Sequence, residues 1–153
     1  MRVVVVHNRY RSENPSGENR VVESDIEQLR ADGVEVIPYI RDSDEIEGFT
    51  PLGKAGLAVR PLVSPVDALA FRRLLREVQP HIVHLHNPFP LISPWIVRTA
   101  KAQRVPVVQT VHNYRHVCVN GIHFRDGAPC FECVGKALPW PAVRHGWPTV
   151  PCW

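Results

Sequence analysis

The chain has 153 residues, 44% of them hydrophobic, and a formal net charge of +3. A domain of about this size buries about 70% of its unfolded surface and needs no staples. No run approaches the roughly 20 apolar residues of a membrane span, and the apolar stretch of MRVVVVHNRY is too short for a signal peptide, so the reading is a cytoplasmic protein. Charge is uneven: residues 1–50 carry 6 Lys or Arg against 11 Asp or Glu, residues 51–153 carry 12 against 4, and seven of the eight histidines follow residue 80. The later part suits an anionic partner (a phosphate, a nucleic acid or an acidic membrane surface), although a solvated basic face is the commoner reason for such a balance.

RVVVV, residues 2–6, is a β-branched run without alternation, the pattern of a strand covered on both faces of a parallel sheet. After a polar loop, Val22, Ile26 and Leu29 recur at helical spacing and Gly33 stands where a helix C-terminal glycine belongs. VEVIPYI alternates as a second strand, and the acidic stretch from Arg41 to about Ser64 has no clear period. Val66, Leu69, Ala70, Leu74 and Val78 make a helical stripe between Pro65 and Pro80. HIVHLH is a short strand, SPWIVRTAKAQR a helix with Ser93 as N-cap and Pro94 at its first position, and VPVVQTVH a fourth strand. Strands alternating with helices predict an α/β fold, a doubly wound parallel sheet with right-handed crossovers.

Ligands of such sheets bind beyond the carboxyl ends of the strands. The first strand ends in His7 and Asn8, the third in His84, His86 and Asn87, and the fourth in His112 and Asn113. One histidine at a strand end is usually structural, but three His-Asn pairs at equivalent ends predict a convergent polar pocket. PSGEN places Ser16, Gly17 and Glu18 at the start of a helix, whose N-terminus favours an anion. It lacks the spacing of a dinucleotide G-x-G-x-x-G and of a Walker A loop, which disfavours NAD and ATP.

All four cysteines fall in the last 36 residues. Cys118, Cys130 and Cys133 form C-x11-C-x2-C, and the closer pair suits two thiolates on one tetrahedral zinc, with His123, His145 and Cys152 as further candidate ligands. Ordinary reduced cysteines are the alternative; a redox C-x-x-C is disfavoured because the motif follows loop-like RDGAP.

Together, VVVVHNRYRSENPSGENRVVE, PHIVHLHNPFPLISPWI and VPVVQTVHNYRHVCVNGIHFRDGAPCFEC closely resemble the N-terminal domain of family 4 glycosyltransferases, three motifs in the family's order. The resemblance implies a Rossmann-like domain forming one half of a GT-B architecture, over residues 1–145. It implies retaining transfer of a sugar from a nucleotide-sugar donor to a glycan or lipid acceptor of the cell surface, with no cofactor required for transfer. By matching motifs, Ser16, Gly17 and Glu18 approach the donor diphosphate and His112 contacts the transferred sugar as the catalytic-site histidine; their place at the strand ends assigns His86, Asn87 and Asn113 to substrate binding. The family's C-terminal nucleotide-sugar domain is not in this sequence, and residues 146–153, WPTVPCW after Gly146, read as an atypical tail. The expectation is an acceptor-side portion, inactive alone, completed by a separate donor-domain partner and at most peripheral to the inner membrane face; nucleic acid is an unlikely partner. The rival from another class is a zinc-stabilised, non-catalytic module binding an anionic lipid or nucleic acid through the basic later part.

Overall fold

The valine run at the N-terminus folds as β1 (Arg2–Arg9), whose six central residues are all buried. Four valines in succession supply apolar surface to both sides of a strand, at about 1.5–3 kcal/mol for each side chain fully buried, so the strand belongs in the middle of a sheet. The computed structural model describes residues 1–13, 16–57, 65–118 and 120–136. Residues 58–64 of the stretch without a period, His145, Cys152 and the tail 146–153 lie outside the described residues. The chain divides into two units, Met1–Thr110 and Val111–Trp153.

In the first unit β1 lies between β2 (Glu35–Asp42) and β3 (Ile82–Leu85), and β4 (Val107–Gln109) flanks β3, giving the order β2-β1-β3-β4 with every pair parallel. This is the predicted Rossmann-like, doubly wound α/β sheet. Alternation divides the core between its faces. Val3, Val5 and Val36 pack with Val22, Ile26 and Leu29 of α1 (Gly17–Ala31), while Val4, Val6, Val83 and Leu85 pack with Phe71 and Leu75 of α3 (Pro65–Val78) and Ile96 and Ala100 of α4 (Trp95–Ala102).

Local chemistry sets the ends of α1. Ser16 is its N-cap and accepts a hydrogen bond from Glu18 N at 3.1 Å. At the other end Gly33 has φ +77, and Val34 N donates to Leu29 O at 2.9 Å and Gly33 N to Arg30 O at 3.0 Å, a Schellman closure that this left-handed glycine permits. Ser93 Oγ accepts from Trp95 N at 3.3 Å, and Pro94 already has helical dihedrals, although the hydrogen-bonded helix begins one residue later.

Three sequence expectations are corrected. The buried stripe of α3 is Asp67, Phe71 and Leu75, flanked by Leu74 and Val78, whereas Val66 and Leu69 are 71% and 65% exposed. Two apolar rows share this helix, and the row carrying the aromatic ring wins the sheet. The stretch after β2 is not structureless. Asp42 and Glu45 form a capping box that opens a 3₁₀ turn, Ser43–Gly48, and α2 (Pro51–Leu57) follows. Finally, β4 is a three-residue edge strand, shorter than the VPVVQTVH run predicts, and Val108 is 53% exposed on the face opposite the α3–α4 core. Its pairing reaches Thr110, whose N–H donates to Leu85 O at 2.9 Å, and stops short of His112.

The second unit is built on turns. β5 (Phe124–Arg125) and β6 (Ala128–Pro129) pair antiparallel around Asp126 and Gly127, both at positive φ. The Asp-Gly pair is the usual signature of such a tight hairpin, and it lies inside the segment that reads as a plain loop. The His123 ring packs at a tilt against those of Tyr114 and Phe131, with centroids at 4.8 and 5.1 Å, and its Nδ1–H donates to Cys130 O at 3.0 Å.

Candidate functional site

The strand order reverses between β1 and β3, where the connections leave on opposite faces of the sheet. Such a switch point opens a crevice at the carboxyl ends of the two strands. His7 continues the Val3–Val5 row of β1 toward α1, and His84 and His86, two apart on or just beyond β3, share that face because Val83 and Leu85 fill the other.

The three rings meet there. His84 and His86 have centroids 4.2 Å apart, and His7 meets His86 edge to face at 6.2 Å. His7 and His86 are buried. His7 Nε2–H donates to Asn19 Oδ1 of α1 at 2.9 Å, which fixes both the tautomer and the ring orientation. His84 Nε2 lies 2.8 Å from Thr110 Oγ1, and His86 Nε2 lies 3.8 Å from Asp25 Oδ2 of α1.

The asparagines beside these histidines turn to structural work. Asn8 is buried; its amide donates to Ser43 Oγ at 2.8 Å and Arg9 O at 2.9 Å and accepts from Leu91 N at 3.0 Å. Asn87 accepts from Phe89 N at 3.0 Å, and its carbonyl accepts from Asn8 N at 2.7 Å. The predicted polar pocket is thus an imidazole cluster, with the neighbouring amides stitching the loops that carry it.

At the N-terminus of α1, which follows the loop after β1, Ser16 caps the helix and Glu18 lies in its first turn. Gly17 is exposed, and a Cβ there would meet nothing within 4 Å. Among the described residues, no contact therefore demands glycine at this position.

His112 and Asn113 belong to the second unit. Asn113 Oδ1 accepts from Arg115 N at 3.1 Å, forming an Asx turn, and His112 is half-buried. Cys118 is buried and Cys130 and Cys133 are half-buried, all as free thiols. Among the described residues, the metal-type side chains whose ligand atoms converge are Asp25, His84 and His86, not the cysteines.

Sequence reasoning passed over Asn19, Asp25 and Thr110. A signal for the first two was present: on α1 the residues turned from solvent are Glu18 in the first turn and then Asn19, Val22, Asp25, Ile26 and Leu29, so Asn19 and Asp25 share the row of Val22, Ile26 and Leu29. A polar residue on the buried row of a helix is a site candidate.

A family model described as Glycosyl transferase 4-like domain matches residues 16–149, most of the chain. The chain belongs to the glycosyl transferase 4-like family. No curated protein and no solved structure matches it. The match begins after β1 and His7 and takes in α1, His84 and His86 at the end of β3 and most of the second unit, so a glycosyltransferase-type domain is the frame in which these side chains are to be understood. Members of this class act between a sugar donor and an acceptor, and no helix among the described residues is long and apolar enough to cross a membrane.

Proposed function

We propose that the chain is the acceptor-side portion of a retaining glycosyltransferase of GT-B type, handling a nucleotide-sugar donor and a cell-surface glycan or lipid acceptor. The observation that carries the reading is the N-terminus of α1 opening after β1 at the switch point, within a glycosyl transferase 4-like domain. The helix N-terminus and its backbone N–H groups stabilise charge that develops on a departing diphosphate. Gly17 lets that phosphate approach the backbone, with Ser16 and Glu18 beside it. His112, with Asn113, orients the transferred sugar by hydrogen bonding, which is positioning more than proton transfer, and His86 and Asn87 serve the substrate side. The nucleotide is met from the facing half of the GT-B cleft, and residues 1–153 by themselves do not turn over.

The test combines an assay with ligand-observed NMR on a panel of nucleoside diphosphate sugars. Residues 1–153 alone transfer no sugar, and the donor that they contact best loses about ten- to a hundredfold in affinity in Gly17→Ala, a size set by excluding one bidentate or charged contact of about 1.5–3 kcal/mol. The same substitution leaves folding intact or slightly firmer, since alanine exceeds glycine by about 0.5–1 kcal/mol in helices. Transfer by residues 1–153 alone overturns the need for a facing half. Donor contact that Gly17→Ala leaves unchanged overturns the role of the glycine.

A second reading concerns location. Val66 and Leu69 are exposed on α3, and Arg72, Arg73 and Arg76 share a surface depression with Leu69. An apolar edge beside three guanidinium groups fits an anionic membrane surface, each basic residue adding about 1 kcal/mol near it. Co-sedimentation with vesicles containing anionic lipid is expected to fall by about a hundredfold in affinity when the three arginines become glutamine. Equal binding of the variant, or equal binding to zwitterionic vesicles, removes this reading.

A further inference from the structure

The imidazole cluster offers more than hydrogen bonds to a sugar. The ligand atoms of Asp25, His84 and His86 all lie within 4.8 Å of one another. Asp25 stands on α1 and the histidines are two apart on one face of the sheet, so three ligands from two elements are gathered by the packing of that helix. His86 is buried and the Asp25 side chain is 39% exposed, which leaves a path for an ion from solvent. The separation of 3.8 Å between His86 Nε2 and Asp25 Oδ2 is too long for a hydrogen bond. Two ligands each about 2.0–2.1 Å from a tetrahedral zinc stand about 3.3 Å apart, so a modest rotation of the half-exposed Asp25 closes this pair onto an ion. Thr110 supplies the supporting contact: its hydroxyl lies 2.8 Å from His84 Nε2 and orients that ring, as groups behind metal-bound histidines do.

We propose that Asp25, His84 and His86 form a binding site for a divalent transition-metal ion, zinc being the natural occupant of a two-imidazole, one-carboxylate set. Three protein ligands leave a fourth position for water or an anionic ligand. The site shares His86 with the proposed substrate side, but its test reads metal binding directly and does not depend on sugar transfer.

The experiment titrates the reduced full chain with Co²⁺, which reports ligand type and coordination number by its visible absorption. One equivalent is expected to bind with the bands of a four- or five-coordinate nitrogen and oxygen site, and without the near-ultraviolet charge transfer that thiolates give. Asp25→Asn and His84→Gln, both at half-buried positions, lower the affinity about a hundredfold, and Thr110→Val about tenfold. Far-UV circular dichroism confirms that each variant is folded. Absence of a bound equivalent overturns the site, as do bands unchanged in both folded variants. Binding accompanied only by thiolate charge transfer, and lost in Cys130→Ser instead, overturns it in favour of the cysteines.

Discussion

Phe71→Ala lowers the unfolding free energy of the sheet-bearing unit by about 3–5 kcal/mol, the usual cost of emptying a buried aromatic position. The ring is fully buried on the inner face of α3 and meets Tyr39 of β2 edge to face at 5.2 Å. It belongs to the cluster formed by Val4 and Val6 of β1, Val83 and Leu85 of β3, and Ile96 and Ala100 of α4, so its removal opens a cavity bordered by several elements at once. Domains are stable by only about 5–15 kcal/mol, and a large share of the folded population is lost on mild heating. Leu69→Ala, two residues earlier and exposed, changes stability by no more than about 0.5 kcal/mol. Urea denaturation of the two variants side by side checks both values. Equal destabilisation would mean that α3 packs through the Val66–Leu69 row after all.

That pair of substitutions marks where the sequence is ambiguous. Pro65–Val78 contains two apolar rows, Val66–Leu69–Ala70 and Phe71–Leu74–Leu75–Val78, and periodicity identifies a helix without saying which row the sheet takes. The first strand and the first helix carry no such ambiguity, because an unbroken valine run and a single stripe ended by Gly33 each have one way to be buried. VPVVQTVH identifies a strand without saying how much of it pairs or what lies across it: as an edge strand it is three residues long and leaves Val108 exposed. The turn after β2 and the hairpin at Asp126–Gly127 were legible in principle, since Asp42 with Glu45 and the Asp-Gly dipeptide are local signals that need no partner.

The candidate site divides in the same way. That His7 and His86 lie at strand ends follows from the length of their apolar runs, and the strand order then brings them to one switch point. Which neighbours they meet does not follow, because Asn19, Asp25 and Thr110 come from elements whose rotation only tertiary packing fixes. Nor does adjacency in sequence make a shared site: strand alternation sends His7 toward α1 and its neighbour Asn8 toward the loops beyond the other face.

This makes Asn8 the position where a structural and a ligand-contact role are most sharply distinguished. Its side chain joins the end of β1 to Ser43, in the turn after β2, and to Leu91, in the loop after β3, so a single amide ties together the ends of three strands. Asn8→Ala removes the acceptor of the Leu91 N–H, which lies at a fully buried residue, and both donors, at an expected cost of about 2–5 kcal/mol for orphaned polar groups and lost packing. The measurement is hydrogen exchange of the Leu91 amide together with urea denaturation. Exchange is expected to accelerate at Leu91 by more than the global loss of stability accounts for, because the loop after β3 has lost its anchor to β1 while Asn8 N still donates to Asn87 O. His86 and Asn87 sit at the base of that loop, so affinity at the proposed substrate and metal sites is expected to fall with it although Asn8 lines neither. Unchanged protection of Leu91 in the folded variant would instead return Asn8 to the binding surface that its place at a strand end first suggests.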